Sequence, residues 1–382
     1  MRLFEDKLRN TIEHKTSSKA MFTYLDESSH SKAEYLRKLL NRFFETFNLN
    51  STPEETKEIY QRIKSNNDEF HSAFFELMIH FILINQGYEL EIHPTLDNCS
   101  KKPDFLVKHK NGENFYLELV TVQDVSGCKH IEQVNDVFFQ NQHDNFCVIT
   151  EHNNGQMNSS PKVKDLRNKI FTWLDNLDPD TELLRDKNHL SSMKWEHDDF
   201  SINIKAFPLP KDQRAKGLCL FNGSISPERI ITTEQNLIKS LKKKATKYGS
   251  INIPFIIAVA LSPREYSFPL TKNIQLQTLF GKQSIYYNKN SDSKLKYSGN
   301  SLWLHNNKPQ NTKNSGIWFF DFPSIFSLPE LRTNLYLNPW ATHQLKSSLY
   351  EFPHTTLDSS AFPKLKIIQQ NGNINPLDIL QI

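Results

Sequence analysis

The sequence predicts an α/β protein in which helices flank a mixed sheet, with an N-terminal helical extension and a C-terminal extension. Apolar residues recur at helical spacing in some segments, and in others they alternate with polar residues or run continuously, as in strands. Along the 382 residues these segments follow the order helix, strands, helix, strand, helix, strand. We therefore expect N-terminal helices over residues 1–65, an α/β core over residues 66–262, and a C-terminal region over residues 263–382 packed on that core.

Composition and charge point to a packed protein with no strongly charged character. Hydrophobic residues make up 37% of the chain and 27 residues are Phe, while 46 Lys+Arg against 43 Asp+Glu give a formal net charge of +3. A basic binding surface must therefore be local. The four cysteines form no CxxC pair, which argues against a zinc site. The apolar runs are too short to span a membrane and no apolar signal segment is evident, so we expect a soluble, cytoplasmic protein with reduced cysteines.

Two helices are predicted in the first quarter of the chain. Residues 33–47 place their apolar side chains on one stripe, which is typical of an amphipathic packing helix. Asn67 or Asp68 is the predicted N-cap of the next helix, which runs to Gly87, a residue suited to helix termination. It is apolar nearly all round and should be buried. Glu76 stands in its middle, and an ionised carboxylate there requires a partner cation or a metal ion.

The strands that follow are predicted from alternation and from one continuous apolar run. Residues 88–92 and 200–207 alternate, and residues 144–150 form a short apolar segment. Residues 253–261 are apolar throughout, as in a strand covered on both faces. Two further helices are predicted between these strands, over residues 160–177 and 234–248.

Residues 101–123, KKPDFLVKHKNGENFYLELVTVQ, form a predicted β-hairpin that contains two acids. A two-residue Asn-Gly loop would set Asp104 opposite Leu119 and leave Glu118 on the other face. A three-residue loop, with Gly112 in the left-handed conformation, would set Asp104 opposite Glu118 on the same face. We favour the three-residue loop, because it brings two otherwise unexplained acids into one site.

Such a pair of acids indicates a metal site. Adjacent carboxylates repel each other, and a divalent cation with hard oxygen ligands removes that repulsion. Mg²⁺ is the expected ion, with Mn²⁺ as the alternative. A metal of this kind lowers the pKa of a bound water and holds a phosphate oxygen, which phosphodiester hydrolysis requires. Glu76, docked beside the strand ends, would supply a third acid.

These pieces together resemble the PD-(D/E)xK, or restriction-endonuclease-like, nuclease superfamily. The matching features are a helix Glu, a Pro-Asp before a hairpin strand and a Glu on the next strand, over residues 66–123. The resemblance implies a restriction-endonuclease-like mixed sheet and hydrolysis of DNA. It also implies that Asp104 and Glu118 are metal ligands, assisted by the backbone carbonyl of Leu119, and that Glu76 is the catalytic helix acid.

One position departs from that superfamily. Val120 stands where its members normally have a lysine, which orients the attacking water and offsets phosphate charge. We expect Lys244 to replace it, because Lys244 lies beside the apolar face of its predicted helix, and Lys247 is the second choice. Lys242 and Lys243, together with Lys247, are predicted to contact the nucleic-acid backbone.

The predicted function is a Mg²⁺-dependent nuclease, with a role in restriction, phage defence or repair implied by the resemblance alone. The alternative is a catalytically lapsed nuclease-like module that binds nucleic acid or serves assembly, and Val120 is the best evidence for it. Retention of all three acids favours the enzyme. A third hypothesis, an unrelated α/β protein with ordinary surface acids, is disfavoured by Glu76. The expected partners are nucleic acid, a second copy of the chain or a partner defence protein.

Overall fold

The computed structural model of the protein describes residues 2–381 except 14, 17–18, 98, 111, 123–127, 154–156, 187–188, 217–219, 226–228, 262–270, 289–290, 299–300, 323–324 and 360–365. The chain divides into two units. Unit 1 comprises Met1–Asn10, Met21–Asp124 and Thr232–Ile382, and unit 2 comprises Thr11–Ala20 and Val125–Ile231. The range expected to form one α/β core, residues 66–262, therefore includes parts of both units.

Helices occupy the N-terminal part of unit 1, as expected for that region. They are α1 (Met21–Glu27), α2 (Ser31–Leu49), α3 (Pro53–Lys64) and α4 (Asn67–Asn85). Helix α4 is buried along most of its length, as its apolar sequence predicts. Its N-cap is Asn66, one residue before the nearer of the two predicted caps, and the Asn66 side chain accepts hydrogen bonds from the N–H groups of Asp68 and Glu69. Gly87 ends the helix with a φ of +78°, the left-handed conformation that glycine adopts without strain.

The remaining elements are numbered along the chain. The strands are β1 (Glu89–Ile92), β2 (Phe105–Lys108), β3 (Asn114–Val122), β4 (Phe146–Asn153), β5 (Ser192–His197), β6 (Phe200–Pro208), β7 (Phe221–Ile225), β8 (Phe255–Leu261), β9 (Lys282–Asn288), β10 (Ser291–Ser298), β11 (Leu304–His305), β12 (Lys308–Pro309), β13 (Gly316–Asp321), β14 (Arg332–Leu337), β15 (His354–Asp358) and β16 (Lys366–Gln370). The helices are α5 (Cys128–Phe139), α6 (Val163–Asp175), α7 (Pro179–Leu183), α8 (Arg229–Ala245), α9 (Lys272–Phe280) and α10 (Pro376–Leu380).

Unit 1 is built on an eight-stranded sheet with the order β1-β2-β3-β8-β13-β14-β15-β16. Strands β3, β8 and β13 are parallel, whereas β1, β2 and β3 pair antiparallel, so the sheet is mixed. Alternate residues of the central strands enter two hydrophobic cores. Leu117 and Ile256 face the core that contains α2 and α4. Val120 and Ile257 face the core that contains α8. Helices therefore flank a mixed sheet, as the sequence predicts.

Strand β8 explains why its sequence is apolar throughout. Its residues from Phe255 to Ala260 are fully buried, because the strand lies between β3 and β13 and is covered on both faces. This confirms the prediction made for residues 253–261. The C-terminal region contributes β13 to β16 to the same sheet, so it is an integral part of the sheet as well as a covering layer.

Unit 2 has its own four-stranded sheet, in the order β5-β6-β4-β7. Helices α5 and α6 pack on one face of it, where Ile202, Leu166 and Val134 belong to one core. The strands predicted over residues 144–150 and 200–207 are present as parts of β4 and β6. Alternating hydrophobicity identifies a half-buried strand without identifying its sheet, and this is why the separate unit was not predicted. None of the described helices has the length and apolarity that a bilayer-crossing segment requires.

Candidate active site

The hairpin formed by β2 and β3 has the register expected of a three-residue loop. Phe105 pairs with Leu117, and Gly112 has a φ of +86°. Counting one residue outward from that pair sets Asp104 opposite Glu118. Residues opposite each other in an antiparallel pair share a face of the sheet. The two acids therefore lie side by side, which confirms the predicted register and excludes the two-residue loop.

Glu118 is a fully buried carboxylate, with 0% exposure. Its Oε1 atom accepts hydrogen bonds from the Nζ atoms of Lys244 and Lys247, the latter at 2.8 Å. Its Oε2 atom lies within hydrogen-bond distance of the hydroxyl of Tyr248. Burial of an ionised carboxylate is tolerated when cations and hydrogen-bond donors surround it. Three partners from the end of α8 and the turn after it satisfy this carboxylate.

The sequence of α8 explains how its end reaches Glu118. Leu237, Leu241 and Ala245 are spaced four residues apart, and all three are buried against the sheet. Lys244 lies three residues after Leu241, on the flank of this buried face. The helix ends at Ala245, and Lys247 approaches from the following turn. Both lysines expected to substitute for the motif lysine are thus in contact with Glu118.

Val120, at the position on β3 where the resemblance leads us to expect a lysine, is buried in the core that contains α8. It lies two residues beyond Glu118, so the two side chains share a face of the strand. A lysine at this position would have its charged group near Glu118. The ammonium groups of Lys244 and Lys247 occupy that neighbourhood instead.

Asp104 carries the most strongly perturbed carboxyl of the site. Its Oδ2 atom accepts a hydrogen bond from the Leu119 N–H at 2.5 Å. Burial, followed by the charges of Glu118 and Glu76, raises the pKa of Asp104 to about 7, against the opposing effects of the Leu119 N–H and Lys244. At neutral pH this carboxyl is therefore held between its protonated and ionised forms. Among the neighbouring charges, those of Glu118 and Glu76 outweigh that of Lys244 in their effect on this pKa.

Glu76 lies on α4, which packs on the sheet face opposite to α8. Its side chain is 7% exposed, and its Oε2 atom pairs with Arg62 at 2.7 Å. Arg62 also pairs with Glu69 at 3.2 Å. Burial opposes the charge of Arg62, but the two carboxylates outweigh burial and raise its pKa above the ordinary value. The partner cation that the sequence requires for Glu76 is thus Arg62 of α3, and the charge of Glu76 still acts on Asp104.

Tyr248 is a member of the site that the sequence did not indicate. Its hydroxyl lies between the Glu118 carboxylate and the Lys102 carbonyl, which is 2.9 Å away. A hydroxyl has one proton, so it donates to one of these acceptors at a time. Burial, followed by the charge of Glu118, raises the pKa of Tyr248 and keeps it protonated. The sequence places Tyr248 on the apolar face of the helix predicted over residues 234–248, and nothing in that pattern identifies a role for its hydroxyl.

Replacement of Tyr248 by phenylalanine should destabilise the protein. The change removes a hydrogen bond to the buried Glu118, a loss of about 1.5–3 kcal/mol in the free energy of unfolding. Tyr116→Phe is the matched control, because Tyr116 is a half-buried tyrosine on the same face of β3 as Glu118. Urea denaturation of the two variants measures the difference. Equal stability of both variants would show that the Tyr248 hydroxyl contributes nothing to holding Glu118.

The other two lysines of the helix end lie nearer to solvent. Lys243 is exposed, and Lys242 is half-buried, with burial lowering its pKa. Both belong to the last turn of α8 together with Lys244. Four lysines are thus concentrated at this end of the helix and in the turn that follows it. They form a local basic patch beside Glu118, despite the small net charge of the chain.

The donor atoms around Asp104 and Glu118 suit a hard divalent cation. The N–H and C=O of one strand residue point to the same side of the strand. Leu119 donates its N–H to Asp104, so its carbonyl points to the same side, beyond the end of β2. No group of three or more His, Cys, Asp and Glu side chains is placed to hold one ion in the described part of the chain. Two carboxylates and a carbonyl nevertheless fit Mg²⁺, which keeps several waters and often uses only one or two carboxylates.

The raised pKa of Asp104 predicts how stability depends on pH without metal. The folded state holds this proton up to about pH 7, whereas the unfolded chain releases it near pH 4. Stability therefore falls as the pH rises from about 4 to about 7, and the full penalty applies above pH 7. Asp104→Asn, measured in EDTA, should raise the melting temperature at pH 8 by several degrees more than at pH 5. Asp97→Asn, at an exposed loop position, is the control. A pH-independent effect of Asp104→Asn would contradict the shifted pKa.

No family model, no curated protein and no solved structure matches the chain. The likeness to the nuclease superfamily therefore rests on the residues described above. These are the opposed acids of the hairpin, the two lysines that contact Glu118 and the acid on α4.

Proposed function

We propose that the protein is a metal-dependent nuclease of the restriction-endonuclease-like type. Mg²⁺, or alternatively Mn²⁺, is its expected cofactor and DNA its expected substrate. One observation carries the proposal. Asp104 and Glu118 lie side by side on one face of the sheet, and two ammonium groups reach Glu118, that of Lys244 from α8 and that of Lys247 from the turn after it. Paired acids beside a lysine form the minimal set for phosphodiester hydrolysis with a bound metal.

Each residue has a distinct role in this proposal. Asp104, Glu118 and the Leu119 carbonyl would hold the metal, which when bound polarises the phosphate and activates water. Lys244 would orient the attacking water and stabilise the negative charge that develops on the phosphate. Tyr248 keeps Glu118 oriented through its hydrogen bond.

The remaining charged residues support the site from its periphery. Lys242, Lys243 and Lys247 would bind neighbouring phosphates of the substrate backbone and fix its position. Glu76, paired with Arg62, contributes negative charge that favours a cation at Asp104. A cation at Asp104 is thus favoured by two neighbouring acids.

A catalytically lapsed binding module is the second candidate, and two observations favour it. Val120 is buried at the motif position, and Glu118 is already satisfied by protein groups without a metal. A protein that had lost catalysis could retain these partners as a stable polar network. It would bind nucleic acid through the same lysines and would not cleave it.

A cleavage assay separates the two candidates. Supercoiled plasmid and single-stranded DNA are incubated with the protein in Mg²⁺ and, in parallel, in EDTA. The nuclease proposal predicts cleavage in Mg²⁺, no cleavage in EDTA, and no cleavage by Glu118→Gln in either buffer. DNA binding without cleavage in Mg²⁺ and in Mn²⁺ would favour the lapsed module.

Neutralising the basic patch should weaken DNA binding in both candidates. With Lys242, Lys243, Lys244 and Lys247 all replaced by glutamine, affinity should fall and depend less on salt. Removing one lysine that binds a phosphate lowers the slope of log affinity against log salt by about 0.9 on duplex DNA. Lys239→Gln, an exposed position on the same helix, should leave the slope unchanged. Fluorescence anisotropy across a salt series measures the slopes, and wild-type binding by the quadruple variant would exclude the patch as the binding surface.

A further inference from the structure

Lys244 and Lys247 balance the negative charge of Glu118, the charge that a bound metal ion would also balance. Both ammonium groups donate hydrogen bonds to one oxygen of Glu118. Two positive charges therefore lie beside a single buried negative charge. The charge of Lys244 also acts on Asp104 and opposes its raised pKa. Together the two lysines and the two acids can reach electrical neutrality without any other ion. The lysine pair is thus a built-in counter-ion of the acid pair.

A divalent cation at the same acids changes this balance. Two further positive charges would then lie beside two ammonium groups, and like charges at such distances repel strongly inside a protein. The lysines can relieve this repulsion by moving outward, because their side chains are 29% and 26% exposed. Lysine has a long flexible stem whose charged end readily reaches solvent. Once withdrawn, the ammonium groups require new anionic partners.

We propose that Lys244 and Lys247 exchange partners, from Glu118 to substrate phosphate, when a divalent cation binds the acids. The proposal rests on the proposed function and adds a regulatory consequence to it. Metal binding releases the lysines for phosphate, and phosphate binding draws them away from Glu118. The two ligands therefore favour each other's binding, and free metal alone binds weakly. The lysine pair keeps the site closed to metal until nucleic acid is present.

Mn²⁺ binding measured by electron paramagnetic resonance tests the exchange, since free Mn²⁺ gives a strong signal that is lost on binding. The titration is run with the protein alone and with a hydrolysis-resistant phosphorothioate oligonucleotide, and oligonucleotide without protein serves as the blank. Wild-type affinity for Mn²⁺ should rise about fivefold or more when the oligonucleotide is present. Lys247→Gln should bind Mn²⁺ more tightly than wild type without the oligonucleotide, and should show a smaller rise with it. Lys239→Gln should behave as wild type.

Equal Mn²⁺ affinity in wild type and Lys247→Gln without the oligonucleotide would overturn the exchange, as would an equal rise in both. A second measurement uses only the wild-type protein. Coupling is reciprocal, so Mn²⁺ must raise the affinity for the oligonucleotide by the same factor, and the absence of this effect would also overturn the exchange. A wild-type protein that cleaves DNA and fails these tests would leave the proposed function intact. Equal Mn²⁺ binding by wild type and Glu118→Gln would instead contradict the proposed function itself.

Discussion

Replacing Asp104 or Glu118 by alanine should abolish Mg²⁺-dependent cleavage of DNA. Each change removes a proposed metal ligand, and a metal contributes several kcal/mol to stabilising the charged transition state. At 1.36 kcal/mol for each factor of ten, the loss should be about a thousandfold or more. The fold should survive Asp104→Ala, because this change also removes repulsion with Glu118 and Glu76. Initial rates on supercoiled plasmid measure the effect, and circular dichroism verifies the fold.

Two further variants make this test specific. Glu118→Gln keeps the size of the side chain and an acceptor for the lysines, so it separates loss of the ligand from disruption of the buried network. Asp97→Ala removes an exposed acid from the loop before the hairpin and should cleave as wild type. Cleavage at the wild-type rate by either Asp104→Ala or Glu118→Gln would mean that the metal site lies elsewhere.

Lys244→Ala should reduce cleavage far more than it reduces DNA binding. The proposal assigns to Lys244 the orientation of water and the stabilisation of charge on the phosphate, a contribution of about 100-fold or more in rate. Binding rests on several phosphate contacts, of which this variant removes at most one, so affinity should change by a much smaller factor. Single-turnover cleavage rates and anisotropy on the same oligonucleotide compare the two effects directly.

Two lysines of the same helix are matched controls. Lys242→Ala and Lys239→Ala each remove one positive charge from α8, and neither residue forms an ion pair with Glu118 among the described residues. Both variants should retain most of the cleavage rate. If Lys244→Ala cleaved as fast as these controls, Lys244 would not perform the role of the superfamily's catalytic lysine. The lapsed-module hypothesis would then gain support, with Lys247 as the remaining candidate.

Local turn chemistry made the hairpin predictable from the sequence. Asn-Gly signals a turn, and the choice between a two-residue and a three-residue loop decides which face each acid occupies. Gly112 adopts the left-handed conformation, and the register follows from it. The flanking position of Lys244 beside Leu241, together with the resemblance to the nuclease superfamily, led to the prediction that Lys244 approaches Glu118, although 126 residues separate the two partners.

Features that depend on tertiary packing were not predictable in the same way. Arg62 lies on an ordinary amphipathic helix, and its pairing with Glu76 depends on how α3 packs against α4. The hydroxyl of Tyr248 contacts Glu118 because α8 ends where it does. Strands β4 to β7 form a second sheet. The alternation of apolar and polar residues within each strand does not show to which sheet the strand belongs. Periodicity reports which face of an element is buried, and it does not report which partner covers that face.

We propose that Asp104 and Glu118 together hold a divalent cation. The most direct test is a crystal structure of the protein soaked in Mn²⁺, with diffraction data collected at the manganese absorption edge. We expect an anomalous peak about 2.1 Å from carboxylate oxygens of both residues, a distance set by the size of small divalent ions. The Nζ atom of Lys247 should be displaced from Glu118 in the same map. Absence of a peak at these two acids at saturating Mn²⁺, with the lysines still bonded to Glu118, would show that they do not hold a divalent cation.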